Sequence, residues 1–188
     1  MVLNLVKEGE RGRAFARRLI LREVVLGIGN VLRSDDGVGV YVVQKLDRYL
    51  SKINAGKERA TLDGQNRELI PIQCDTIPEG YTALVREHKP DLLIMVDAAE
   101  MGLNPGECRI IPPNMTEVMA TSTHNISLSL LVTYLQDFCR EIIMVGIQPQ
   151  SMVPGVNLSG VVRESGDRLA ALITKGQLAQ IKKLDALQ

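Results

Sequence analysis

Short apolar runs alternate with amphipathic segments from residue 23 onward, an order typical of βαβ units around a mainly parallel sheet. The apolar runs predict five strands, at 23–28, 72–76, 91–96, 107–111 and 141–145. The amphipathic segments predict four helices, at 37–50, 78–88, 125–138 and 158–175. The turn signal Asn104-Pro105-Gly106 leaves little chain between strands three and four, which favours an antiparallel edge strand at 107–111. The pattern therefore predicts an α/β fold.

This alternation also sets the expected limits of the domain. One domain is predicted over residues 23–175, preceded by an N-terminal extension at 1–22 and followed by a polar tail at 176–188. The segment 51–71 is polar and ends in Pro, so it is predicted to be a loop or an insertion with little regular structure.

Composition excludes several partner classes. With 22 basic and 22 acidic residues and no Trp, the chain offers neither a net positive field nor many stacking platforms for nucleic acid. Its apolar runs are far shorter than the roughly 20 residues that a membrane helix needs. The three cysteines, Cys74, Cys108 and Cys139, are odd in number and far apart, so reduced thiols and a cytoplasmic location are expected.

The first candidate for chemistry is the loop after the first strand, since ligands of open α/β sheets bind where the strands end. A dinucleotide fingerprint starting at Gly27 and Gly29 would need its third glycine where Leu32 stands, so nucleotide binding is disfavoured. Asp35 is predicted to be the N-cap of the next helix. Asp36 places a second carboxylate there, either as a favourable charge at a helix start or as a functional group.

Two further polar side chains are expected at the same sheet edge. Asp97 directly follows the third predicted strand, and His124 precedes the fourth predicted helix. Each has a structural alternative: Asp97 can cap a loop, and His124 can be a polar helix-start residue. Taken together, Asp36, Asp97 and His124 predict an oxygen-and-nitrogen site with open coordination positions.

Four motifs carry a resemblance to a known family: Gly27-Ile28-Gly29-Asn30 with Asp35-Asp36-Gly37, then Val96-Asp97-Ala98, Thr123-His124-Asn125 and Gly146-Ile147-Gln148-Pro149. Together they resemble the [NiFe]-hydrogenase maturation endopeptidases, and the segment from Asp97 to Glu107 resembles the branch that serves the formate-hydrogenlyase hydrogenase. The resemblance implies a three-layer α/β/α fold, phosphorylase/hydrolase-like, with a five-stranded, mainly parallel mixed sheet in which strand four is antiparallel.

The resemblance also implies a function. The substrate would be the precursor of the hydrogenase large subunit, whose C-terminal peptide is removed once nickel has been inserted. Asp36, Asp97 and His124 would contact nickel that the substrate delivers, with either Asp36 or Asp97 as general base. A monomer is expected. Two alternatives stay open: a module that checks nickel insertion without cutting, and a zinc-dependent peptidase of similar fold.

Overall fold

The computed structural model describes residues 20–53, 66–113, 115 and 128–185. Within them, five strands form one sheet: β1 (Leu21–Ile28), β2 (Arg67–Asp75), β3 (Leu92–Ala98), β4 (Cys108–Ile111) and β5 (Glu141–Ile147). The strand order is β2-β1-β3-β5-β4, and only β4 runs antiparallel to its neighbour β5. The mainly parallel mixed sheet with an antiparallel fourth strand is thus confirmed, and β1 and β3 are neighbours in it.

The described helices follow the strands as expected for βαβ units. They are α1 (Val38–Ile53), α2 (Thr82–His88), α3 (Leu128–Leu135) and α4 (Gly160–Lys175). Short 3-10 turns precede α1 at Ser34–Gly37 and α2 at Pro78–Tyr81, and a third follows α4 at Leu178–Gln180. The sheet is buried on both sides, because one apolar cluster packs it against α1 and α4 and another packs it against α2 and α3. This arrangement is a three-layer α/β/α fold.

The second strand begins earlier than predicted. Residues 67–71 belong to β2 rather than to the predicted loop at 51–71, and residues 51–53 belong to α1. Pro71 argues against a strand at this position because proline has no N–H with which to donate a hydrogen bond to a neighbouring strand. It is tolerated here because β2 is an edge strand, where one side of the backbone needs no partner strand.

The residues after α4 pack against the domain. Leu178, Ile181 and Leu184 are buried, each less than 10% exposed. The Ile110 N–H donates to the Lys182 carbonyl (2.9 Å), and the Leu184 N–H donates to the Ile110 carbonyl (2.8 Å). The described part of the segment predicted as a polar tail therefore covers the free edge of β4, which would otherwise present unpaired backbone groups. Among the described residues, none forms a helix with the length and hydropathy needed to span a bilayer.

Candidate active site at the carboxyl edge of the sheet

The loop after β1 crosses the end of β3 in close contact with it, and glycine makes that contact possible. A Cβ atom on Gly29 would lie 1.8 Å from the Asp36 carbonyl oxygen and 3.5 Å from Oδ1 of Asp97. Gly29 also has a φ of +130°, which side chains rarely adopt. The Gly29 backbone thus packs directly against the Asp36 backbone, and the Asp97 carboxylate lies nearby.

The first turn of α1 is equally close to the sheet. A Cβ on Gly39 would lie 2.2 Å from the Val96 carbonyl oxygen and 2.3 Å from that of Ile28. Only glycine lets the helix begin this near the ends of two strands. The close approach fixes Asp36, three residues earlier, beside the carboxyl end of β3.

Asp36 and Asp97 are both fully buried, at 0% exposure. The Asp97 Oδ1 atom accepts the N–H of Ala98 (2.8 Å), so part of its bonding capacity serves the local backbone, as the loop-cap alternative requires. A buried carboxylate is costly unless it is paired, hydrogen-bonded or metal-bound. Buried carboxylates at the end of a sheet can act as general bases or as oxygen ligands for a cation.

His124, the third predicted site residue, lies outside the described residues. Within the described ranges, no group of three or more His, Cys, Asp or Glu side chains is arranged to hold a metal. The oxygen donors of Asp36 and Asp97 fit a borderline metal that also takes an imidazole ligand. The complete three-residue site therefore stays a prediction from the sequence.

Asp35 has a different task from the one predicted. The side chain does not cap its own helix: the 3-10 turn has Arg33 at its N-cap position and no side-chain cap. Its buried carboxylate instead accepts hydrogen bonds from the backbone of Gln150 (2.9 Å), Ser151 (2.9 Å) and Ser159 (2.6 Å) and from the Ser159 hydroxyl (3.0 Å). We call this set the Asp35 network; it ties the loop after β1 to the loop between β5 and α4.

Asp35→Ala is expected to lower the free energy of unfolding by about 3 kcal/mol, because three backbone donors lose their acceptor and each unsatisfied donor costs roughly 1–3 kcal/mol when buried. Thermal unfolding followed by circular dichroism measures the effect. Ser159→Ala is the matched control, since it removes only the hydroxyl bond and should cost about 1 kcal/mol. Equal losses for the two variants would show that the carboxylate does not hold the loops together.

Gln148 fixes the second loop of the site, the one that follows Asp97. Its Oε1 accepts the N–H of Met101 (2.7 Å) and of Leu103 (3.3 Å), and its Nε2 donates to Glu100 (2.8 Å). Gln148 is only 5% exposed, so its amide depends on these partners. The motif Gly146-Ile147-Gln148-Pro149 contains Gln148 but does not by itself reveal this role. The available signal was a polar amide directly after a buried strand.

Asp75 is a further carboxylate at this edge, and it is not among the residues predicted for the site. It ends β2 with a φ of +49°, and its carbonyl accepts the Gly29 N–H (2.8 Å). Its side chain is exposed and accepts a hydrogen bond from Gln73 (2.8 Å). The signal that could have revealed it is its position near the carboxyl end of a strand, which it shares with Asp97.

The thiols are not suited to nucleophilic catalysis. Burial raises the pKa of Cys74 and of Cys108 to about 12, although Arg109 and Arg168 oppose the shift at Cys108, and burial raises the pKa of Cys139 to about 11. The thiolate is the reactive form of cysteine, and it is scarce at neutral pH when the pKa is this high.

Iodoacetamide at about pH 8 is therefore expected to label the folded protein slowly and to leave its catalytic activity intact. Mass spectrometry of the folded protein, with the denatured protein as the control in which all three thiols react, measures the labelling. Rapid loss of activity together with modification of one cysteine would contradict the assignment of these thiols as inert.

Comparison with known proteins identifies relatives of this chain. A family model described as hydrogenase maturation protease matches residues 40–176, a range that includes Asp97 and His124. The chain is 39% identical over 147 residues to a Methanocaldococcus jannaschii protein assigned the same activity, covering 78% of this chain and 82% of that protein. It is 35% identical over 130 residues to the hydrogenase 3 maturation protease of Escherichia coli, covering 69% of this chain and 74% of that protein.

The fold is also similar to that of solved structures. A crystal structure of a hydrogenase 3 maturation protease superposes with a TM-score of 0.69 at 28% sequence identity, covering 88% of this chain and 98% of that one. A similar fold thus occurs in a chain of nearly the same extent.

Proposed function

Because the chain belongs to the hydrogenase maturation protease family, and is an endopeptidase as its relatives are, we propose that it removes the C-terminal peptide of a [NiFe]-hydrogenase large-subunit precursor after nickel insertion. The observation that carries the proposal is that two fully buried carboxylates, Asp36 and Asp97, belong to residues that both lie close to Gly29, Asp36 through its backbone carbonyl and Asp97 through its Oδ1 atom. Ligands of α/β sheets bind at the carboxyl ends of the strands, and burying carboxylates there is unfavourable. A catalytic role explains why the chain keeps them at that position, whereas a purely structural role does not.

Nickel in this proposal belongs to the substrate. Asp36, Asp97 and His124 offer two oxygen donors and one nitrogen donor, a set that would bind copper at least as well as nickel. The enzyme alone could not choose the metal, whereas a precursor that already holds nickel presents the correct one. Nickel held there would polarise the scissile carbonyl.

The carboxylates supply the proton transfers. Asp36 or Asp97 accepts a proton from the attacking water as its oxygen bonds to the scissile carbonyl carbon, and the proton then passes to the departing amine as the C–N bond breaks. Burial excludes bulk water, so the fixed carboxylate acts in a low dielectric where its charge has a larger effect. The other carboxylate and His124 hold the reacting group in place.

The proposal includes the location of the protein, its oligomeric state and its partner. The described cysteines are free thiols, as in most proteins of the reducing cytoplasm, and we place the enzyme there. It acts as a monomer, since one chain supplies all three proposed site residues. Its partner is the precursor large subunit alone.

Incubation with purified precursor in nickel-loaded and nickel-free forms tests the function. Mass spectrometry should detect release of the C-terminal peptide only from the nickel-loaded form. Cleavage of both forms alike would refute the recognition of nickel, and binding without release would identify a checkpoint protein. Turnover of short free peptides with tightly held zinc would identify a zinc peptidase.

A further inference from the structure

An apolar surface lies at the rim of the proposed active site. Four of its side chains extend into solvent: Val31 is 43% exposed, Leu32 63%, Val153 61% and Val156 73%. We call these four residues the rim patch. Exposed aliphatic side chains occur singly on most proteins, but a group of them gathered on adjoining loops marks an interaction site.

The rim patch is held together by backbone pairing between its two loops. The Ser34 N–H donates to the Gly155 carbonyl (2.7 Å), and the Gly155 N–H donates to the Leu32 carbonyl (2.9 Å). These bonds place Leu32 beside the segment that carries Val153 and Val156. With the Asp35 network they fix both loops, so that little conformational entropy is lost when a partner binds.

The patch is continuous with the proposed catalytic group. A Cβ on Gly37 would lie 3.0 Å from the Val31 Cα atom, so Val31 packs on the residue that directly follows Asp36. A protein substrate that approaches Asp36 can therefore contact Val31 and Leu32 at the same time. A second copy of this chain seated there would block that approach.

The charge pattern indicates what the patch binds. The segment 149–159 contains no charged residue, in a chain of which 23% of residues are charged, and the adjoining segment 30–34 contains only Arg33. The buried centres of protein interfaces are depleted of charged residues in the same way. The surface that fits it is apolar and uncharged.

We propose that the rim patch docks an apolar, uncharged segment of the precursor large subunit next to the peptide that is removed. The inference rests on the proposed function, since it names how the same substrate is held. It assigns Val31, Leu32, Val153 and Val156 to substrate affinity and leaves the bond-breaking step to the buried carboxylates.

The double variant Leu32→Ser/Val156→Ser tests the docking. With nickel-loaded precursor, KM should rise at least about tenfold while kcat changes less than about twofold, because the loss concerns binding and leaves the chemistry intact. Leu84→Ser is the matched control. Leu84 is also an exposed leucine (41%), but it lies on α2, on the face of the sheet opposite α1 and α4. It should leave KM unchanged, and neither variant should lose its native circular dichroism.

Direct binding separates failure of the docking from failure of the function. If wild-type protein cleaves the precursor and the double variant does so with an unchanged KM, the docking proposal is overturned and the function stands. If the wild type binds the precursor without cutting, the function fails, and weaker binding by the double variant than by Leu84→Ser still supports docking. A dimer detected by sedimentation that the double variant abolishes, with no change in KM, would assign the patch to a second copy and overturn the proposal.

Discussion

Asp36→Asn and Asp97→Asn are each expected to lower the rate of precursor processing by at least about 100-fold. The variant that removes the general base loses a contribution usually worth about 10²- to 10⁴-fold, and the other variant loses the charge that holds the reacting group in place. Asparagine keeps the shape of each side chain but removes its charge and its ability to accept a proton. Both side chains are fully buried. Single-turnover peptide release from nickel-loaded precursor, analysed by mass spectrometry, measures the rate.

Asp167→Asn is the control for these variants. Asp167 is a carboxylate on the outer side of α4, where it pairs with Lys45 (2.9 Å) and accepts the Tyr41 hydroxyl (2.8 Å). Its removal should leave processing at the wild-type rate. If Asp36→Asn or Asp97→Asn also processes precursor at that rate, the residue concerned is not part of the catalytic machinery.

His124→Ala extends the test to the predicted site residue outside the described part of the chain. Processing should be abolished while the thermal unfolding midpoint changes little, because a polar imidazole that serves the predicted site contributes little to a hydrophobic core. A large fall in that midpoint would instead mark His124 as structural.

The sheet could be predicted from sequence because its signals are local. The run from Leu92 to Val96 is apolar on both faces, as a central parallel strand must be, and Asn104-Pro105-Gly106 announces the antiparallel return. Asp36 and Asp97 could be proposed together for the same reason: parallel neighbouring strands end at one edge, so the residues that follow them share that edge.

Asp35 and Gln148 were not predictable in their actual roles, because their partners are distant in sequence. Asp35 accepts hydrogen bonds from Ser159, 124 positions away, and Gln148 bonds to Met101, 47 positions away. An aspartate before a helix is most simply interpreted as its cap, and only the three-dimensional arrangement shows that its acceptor oxygens face another loop. The predicted start of β2 was wrong for a related reason. Pro71 is compatible with a strand mainly at a sheet edge, and the edge position of β2 is visible only in the assembled sheet.

These two side chains have a common mechanical consequence for the site. Asp35 holds the loop that carries Asp36, and Gln148 holds the loop that follows Asp97. Each proposed catalytic carboxylate is therefore close to a buried polar side chain whose hydrogen bonds hold its loop in place. Reacting groups gain most from being held in place before the substrate arrives. The polar groups buried around the site therefore determine its geometry, and the apolar layers beneath supply its stability.

Gly29→Ala is expected to be the most damaging single-methyl change in the site. The new Cβ would lie 1.8 Å from the Asp36 carbonyl oxygen, which is too close for two nonbonded atoms. Alanine would also have to adopt a φ of +130°. Backbone strain and overpacking each cost about 1–3 kcal/mol, so a loss of about 2–6 kcal/mol in the free energy of unfolding is expected. Relief of the clash must displace Asp36, so the processing rate should also fall when it is measured well below the unfolding midpoint.

Gly102→Ala separates the clash from the backbone strain. Gly102 also has a positive φ, +67°, but a Cβ there would meet no atom within 4 Å. It should therefore cost only the strain of a left-handed conformation, about 1–2 kcal/mol, and should leave processing nearly unchanged. Denaturant unfolding and single-turnover processing of both variants give the comparison. If Gly29→Ala unfolds like Gly102→Ala and remains active, the contact between Gly29 and Asp36 does not constrain the site, and the close approach of β1 and β3 alone must position the two carboxylates.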